Sequence, residues 1–468
     1  EQGGYLHVMN MGTGQTNQIA VNVQGDMNFA RPRWENVSGR QLSNANISPN
    51  GKRVLFEHRG EIFSIPKEHG SWRNLTNTSG VADRYPIWSP KGDQIAYFSD
   101  KGGEYQLVLA DQMGAVQKSI PIPNKKFYFV PDWSSDGQYL SFSDTDYNLW
   151  VVNITTGVTT QYATDRYAHP NRTMNPQWSP DSKWIAYEKQ LDSHFKAVFG
   201  YNVITKHTIQ MTDGMADATS PVWDVDGKYL YVLGSTNYGL ASGWLDMSSY
   251  DPTTTRSLYA IVLDADGKAP NLPQSDEEES AKKDDAKKDE EKKNEENSDK
   301  NGKDDKNDIL VTVSEQGIYD RLVALKLDDG NYLGLESGPK GTVFIGEGGD
   351  DPGLKLHKYD VQKQKAEVFA EGVGNITTSA DRKHILYSKS GSWTLSETKG
   401  AKGGKEALKT NVRILVDPQA EYHQIFKEGW RYMRDFLYVD NVHGAPWDKV
   451  YEWYAPWIDH VRHRTDLN

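Results

Sequence analysis

One short phrase, a hydrophobic residue followed by Ser-Pro-x-Gly or a near relative, recurs along this chain at almost constant spacing. It reads Ile47-Ser48-Pro49-Asn50-Gly51, Trp88-Ser89-Pro90-Lys91-Gly92-Asp93, Trp133-Ser134-Ser135-Asp136-Gly137 and Trp178-Ser179-Pro180-Asp181-Ser182. A decayed copy follows at Trp223-Asp224-Val225-Asp226-Gly227. Positions 48, 89, 134, 179 and 224 are 41, 45, 45 and 45 residues apart. A sustained period of about 40–45 residues is that of propeller blades. Each copy turns on Ser/Pro/Asp/Gly and runs into β-branched and aromatic residues, as in Gln94-Ile95-Ala96-Tyr97-Phe98-Ser99, a strand-turn-strand signal. One such sheet cannot bury both its faces, so neighbours must stack radially. The repeated Trp and Tyr residues therefore read as packing between blades.

The phrase fades after residue 230 and returns at Thr377-Thr378-Ser379-Ala380-Asp381-Arg382-Lys383. Between these points Asn331–Leu335 and Gly341–Ile345 supply strands of a further blade. The count comes to seven blades, with six or eight still compatible. The expected fold is all-β, a seven-bladed β-propeller over residues 1–408, followed by a short α-helical segment over 409–468 that opens a further domain.

Composition narrows the function. The 53 basic and 65 acidic residues give a formal charge of −12, with no basic stripe interleaved with aromatics, which argues against nucleic acid as a partner. No apolar run approaches the roughly 20 residues of a membrane helix, so no membrane partner is expected. Cysteine is absent, which removes disulfides and thiolate metal sites. The segment at about 272–308 is almost wholly Asp, Glu, Lys, Asn and Ser. It has nothing to bury against its ordering entropy and reads as a solvated insertion between blades.

The period changes near the C-terminus. After a strand at Val412–Val416, Tyr422, Ile425, Phe426, Trp430, Met433, Phe436 and Leu437 fall on a helical stripe. A second stripe carries Trp447, Val450, Tyr451, Tyr454, Ile458 and Val461, with Pro446 in the permitted first turn. Two amphipathic helices do not make a domain, and the chain also starts without Met inside strand-like sequence. It reads as part of something longer.

Taken together these pieces resemble the tricorn protease family. The matching segments are Ser48–Arg53 leading to Arg59–Phe63, then Arg73-Asn74-Leu75-Thr76, and Trp88-Ser89-Pro90 with Ile95–Asp100. The most specific is Gln424-Ile425-Phe426-Lys427-Glu428-Gly429-Trp430-Arg431 with Arg434-Asp435-Phe436, His443-Gly444 and Trp447. The resemblance implies a seven-bladed propeller and the start of a first core domain. It implies peptide substrates that reach the active site through the propeller channel. The partners it implies are core and PDZ domains of the same polypeptide, with the catalytic histidine and serine beyond Asn468. A homo-oligomer stays open. The compartment implied is cytoplasmic, with the periplasm as the alternative.

No catalytic, cofactor-binding or metal residue is assigned within the chain. No G-x-S-x-G elbow occurs. His460 and His463 could share a helix face and a metal, but no acidic partner supports them, and they read as exposed or packing residues. His443 reads as a structural hydrogen-bonding residue in a turn. Asp136, Asp181 and Asp226 could suggest calcium loops, but their fixed place in the repeat argues for turn capping. Two function classes stand. One is the substrate-gating propeller portion of a tricorn-like serine peptidase. The other is a TolB-like propeller acting as a non-enzymatic protein-binding module, which has no use for the C-terminal helices.

Overall fold

The computed structural model describes residues 5–21, 25–166, 174–238, 254–272, 309–349, 352–400, 402–404 and 406–468. Nearly all of the charged insertion lies outside these residues. The chain is mostly β, a propeller of six sheets followed by a short helical segment. Each sheet is an antiparallel meander with strands in chain order. The first comprises Ser43–Ile47, Arg53–His58, Glu61–Pro66 and Arg73–Asn74. Four more four-stranded sheets begin at Asp83, Tyr128, Gln177 and Asp217, and a six-stranded sheet runs from Tyr332 to Glu397.

The repeated phrase makes the turn after each innermost strand. Ser48 N donates to Arg53 O at 2.8 Å and Gly51 N donates to Ser48 O at 2.9 Å, and the same pair recurs from Ser89, Ser134, Ser179, Asp224 and Ser379. The fourth residue has φ between 57° and 75° at Gly51, Gly92, Gly137, Ser182, Gly227 and Arg382. That left-handed conformation explains the preference for glycine there. The serine hydroxyl accepts from the amide five residues on, at 2.9 Å for Arg53 and Trp184 and 3.0 Å for His384. A copy missed in sequence lies at Gly338-Pro339-Lys340-Gly341, where glycine takes the place of the serine. Gly338 N donates to Thr342 O at 3.2 Å, and the fourth residue, Gly341, has φ 71°.

Hydrogen bonding divides the propeller into six sheets where the repeat predicts seven blades. The reason is the strand Lys365–Thr378, which continues past Gly372 (φ 67°) without a break. It pairs with Leu354–Asp360 through Val373 and with His384–Lys389 from Gly374 onward.

Among the described residues no four- or six-stranded sheet holds strands from both chain ends. The ends meet instead in a separate two-stranded pairing of Arg33–Val37 with Val412–Val416. Ring closure depends on a shared core in which Val54, Phe56 and Phe63 of the first sheet pack with Leu386, Trp393 and Leu395 of the last. Trp393 Nε1 donates to Gly39 O at 2.9 Å, and its ring meets Phe56 edge-on at 5.1 Å.

Helix α1 spans Pro418–Phe436, capped by Asp417, whose Oδ1 accepts from Gln419 N and Ala420 N at 3.1 and 3.3 Å. Proline at its first position needs no N–H partner. The second stripe is a helix only over Trp447–Tyr454 (α2). Pro456 follows, and Ala455–His460 is a 3-10 turn. Proline cannot donate into the helix already formed, so the helical stripe expected to reach Val461 is cut short.

Candidate functional site

The innermost strands surround the propeller axis, and they are strained at a fixed position. Four residues before each repeat serine stand Asn44, Tyr85, Val130, Asn175 and Asn375, with Ser220 in the corresponding place before Asp224. Their φ values are 48°, 53°, 46°, 43°, 48° and 55°. Pairing to the second strand skips at Ser43/Asn46, Arg84/Ile87, Phe129/Asp132, Thr219/Val222 and Gly374/Thr377. Each skip is a β-bulge that bends its strand. Positive φ at a β-branched valine is an outlier, and such strain persists only where surroundings over-determine it. Carboxylates of the preceding sheet supply part of that support. Glu57 Oε2 accepts from Tyr85 N at 2.9 Å and Asn44 Nδ2 at 2.7 Å, and Glu188 Oε2 accepts from Ser220 N at 2.8 Å.

At the repeat-turn end of these strands Arg382 Nη1 donates to Thr378 Oγ1 at 2.7 Å, and Thr378 Oγ1 donates to Glu336 Oε1 at 2.6 Å. Asp132 stands within electrostatic reach of Arg382 and Glu336. It keeps some exposed surface but is crowded by protein, and this desolvation pushes its pKa up to about 7. The native state thus holds a proton that the unfolded chain releases near its ordinary value of about 4. Native protein binds more protons across that window, so the group's contribution to stability falls as pH rises from about 4 to 7. Asp132→Asn is expected to match wild type in thermal midpoint near pH 4 and to exceed it at pH 8. Equal midpoints at pH 8 would show that this carboxylate carries no such load.

Helix α1 lies across the opposite ends of the first three sheets and is fixed there by charge. Glu421 receives Arg59 in two contacts of 2.7 and 2.5 Å. Glu428 pairs with Arg84 at 2.5 Å and accepts from Tyr105 OH at 3.1 Å. Arg431 is fully buried. It donates to Asp100 Oδ2 at 2.7 Å and to Gly103 O, and lies over the Tyr105 ring at 5.1 Å. Arg434 grips Glu104 with bonds of 2.8 and 3.1 Å. Burial pushes the Glu428 carboxyl above its usual range, outweighing Arg84, Tyr105 and Arg431, which favour its charge. Phe127 at the start of the third sheet packs on Tyr432 and Phe436 with centroids 4.8 and 5.6 Å away. The motif Glu428-Gly429-Trp430-Arg431 is therefore a docking bracket. Its Trp430 joins α1 to α2, exchanging Nε1-to-carbonyl bonds of 2.9 and 3.0 Å with Trp447.

The histidines are kept apart. His460 Nε2 meets Tyr5 OH at 2.8 Å, whereas His463 caps Arg464–Leu467 with Nδ1 2.7 Å from Thr465 Oγ1. His460 ends a 3-10 turn, and Val461 and His463 are extended, so no common helix face exists. His443 sits in a turn with φ 54° and Nε2 2.8 Å from Tyr438 OH. Asp136 Oδ1 takes Ser134 Oγ at 2.6 Å and Gln138 N at 2.9 Å, and Asp181 Oδ1 takes Ser179 Oγ at 2.7 Å. Asp226 instead meets Lys340 Nζ at 2.6 Å. Among the described residues no three His, Cys, Asp or Glu gather in a metal-holding group.

A propeller with this helix pair docked on it has known counterparts. Residues 42–399 match the family model described as the tricorn protease second beta propeller domain, and residues 418–468 match the tricorn protease C1 domain. This chain belongs to the tricorn protease family. The tricorn protease homolog of Saccharolobus solfataricus is 23% identical over 96% of this chain and 40% of its own length. Tricorn protease homolog 1 of Streptomyces coelicolor is 23% identical over 87% of this chain and 39% of its own. The crystal structure of the tricorn protease superposes with a TM-score of 0.76 at 16% identity, over 99% of this chain and 43% of that one. The chain thus spans about two fifths of the length of these tricorn relatives. Its bracket motif falls inside the C1 match, and its bulged strands fall inside the propeller match.

Proposed function

We propose that this chain is the substrate-gating propeller and the start of the first core domain of a tricorn-type serine peptidase. It passes peptides along the propeller axis to chemistry carried by sequence outside the chain. The observation that carries the reading is the docked helix. A C1 segment held against the first two sheets, at their ends away from the repeat turns, by four ion-paired side chains, Glu421, Glu428, Arg431 and Arg434, supports a core at that end of the axis. The repeat turns are left at the other. Peptides enter at the turns and leave beside the helices. A non-enzymatic TolB-like module would gain nothing from this docking.

The blade count in this reading is seven. The six-stranded sheet counts as two blades, with the inner half of Lys365–Thr378 as the innermost strand of the last. Support comes from the contacts of that strand with Tyr332–Ser337 on one side and Ser43–Ile47 on the other, which close a ring of innermost strands. The chain works inside a longer polypeptide with core and PDZ domains, in the cytoplasm.

This chain contains no cysteine of its own, so a thiol introduced into the propeller is its single one. In the full-length protein, Val130→Cys places a thiol on an exposed residue of an innermost strand, to be alkylated with a bulky maleimide. Hydrolysis of long fluorogenic peptides should fall about tenfold or more relative to alkylated wild type, because access and not chemistry is blocked. Undiminished hydrolysis would sink the gating role. A full-length protein that hydrolyses no peptide would sink the peptidase reading and leave the binding module.

A further inference from the structure

The innermost strands are not alike. Pro86, Pro131, Pro176 and Pro221 occupy one repeat position in the second to fifth sheets, directly after the strained residue. Proline brings no N–H, and it blunts a strand edge against pairing with another extended chain. The equivalent positions in the remaining innermost strands are Ala45, Leu335 and Ile376, all of which keep their N–H. These three strands are consecutive around the ring. The proline-free arc also holds a partly open cavity of about 220 Å³ between Tyr332–Ser337 and the inner half of Lys365–Thr378. Leu335, Phe344, Leu354, Leu356 and Ile376 line it, with Glu336 and Asn375 alongside. Asn375 gives its amide nitrogen to Ser388 Oγ at 3.0 Å, which leaves its carbonyl oxygen as an acceptor.

We propose that this arc is a side-chain subsite, where an extended peptide in the bore places one apolar residue in the cavity and lays its main chain along the proline-free edges. The inference rests on the gating reading above. The occupant is an apolar side chain because the wall is aliphatic and aromatic. Glu336 beside it repels an acidic residue. The four proline-bearing strands keep the peptide from being captured as an added strand elsewhere, so the chain is read on one side and slides past the other.

Gly334 offers the test, because a Cβ built there meets nothing within 4 Å and its φ is not positive. Short Gly/Ser peptides carrying a fluorophore and either one Leu or one Asp at the same place are titrated into the full-length protein, with anisotropy as the readout. Wild type should bind the Leu peptide about tenfold more tightly than the Asp peptide. Gly334→Leu should fill the cavity and abolish the difference, and Gly334→Ala, a milder change should the first not fold, should reduce it. Val130→Ala, on a proline-bearing strand, should leave it intact. Equal affinities in wild type, a difference that survives Gly334→Leu, or the same loss in Val130→Ala would each overturn the subsite. Binding is read without hydrolysis, so an intact preference beside an ineffective channel plug would overturn gating alone.

Discussion

Arg431→Met is expected to destabilise the docked helix by about 3–5 kcal/mol, the cost of leaving buried charges without their partner. Arg431 is fully enclosed, and the carboxylates around it, Asp100 and Glu428, are themselves buried. Methionine fills much of the volume but offers no donor to Asp100 Oδ2 or Gly103 O. Hydrogen exchange is the suitable measurement, because a chain of this size need not unfold in one step. Amides of α1 should lose protection while those of the fourth and fifth sheets keep theirs. Asp100→Asn, which retains an acceptor for Ala82 N, combined with Arg431→Met should cost less than the sum of the two changes, since they share one interaction. Strict additivity, or unchanged protection in α1, would show that the bracket does not hold the helix.

The second large effect is expected at Trp393. Among the described residues no propeller sheet draws strands from both chain ends, so beyond the short pairing of Arg33–Val37 with Val412–Val416 closure relies on side chains, and this indole is 2% exposed at the seam. Trp393→Ala removes a large buried ring and leaves the Gly39 carbonyl with only the long bond from Leu42 N at 3.4 Å, which should cost about 3–5 kcal/mol. The loss should be localised. Protease cleavage would begin in the first and last sheets, next to the seam. Cleavage spread evenly through all sheets would mean that the ring closes by some other contact.

Much of the architecture was legible because its determinants are local and repeated. A serine that caps its own turn and a glycine that accepts positive φ recur wherever a first strand meets a second. The spacing of Ser48, Ser89, Ser134, Ser179 and Asp224 therefore marks successive sheets. The copy at Gly338-Pro339-Lys340-Gly341 is hidden because glycine replaces the serine that marks the others. The strand Lys365–Thr378 is opaque in a different way: the repeat at Thr377–Lys383 places its end in a new blade, but nothing in its residues signals that the two halves run on as one strand. The ring of strained residues was hidden for another reason. Asn44, Tyr85, Val130, Asn175, Ser220 and Asn375 share a backbone conformation, but only the three asparagines have a side chain that favours it. The motif from Gln424 to Arg431 was visible as a motif, yet its role was not. Glu428 and Arg431 acquire meaning only from Arg84, Asp100 and Tyr105, residues that the fold and not the sequence brings near.

The docking of α1 also sets an order of events. Arg59 meets Glu421 across 362 residues of chain, and Tyr105 meets Glu428 across 323. Contacts of such separation form late, after local hairpins have closed. In synthesis from the N-terminus, domains fold largely in the order they emerge, so the second sheet is complete before the helix that it anchors exists. The C1 segment is then laid down on a finished platform. A propeller misfolded at Asp100 or Glu104 has no seat to offer, and α1 stays unattached.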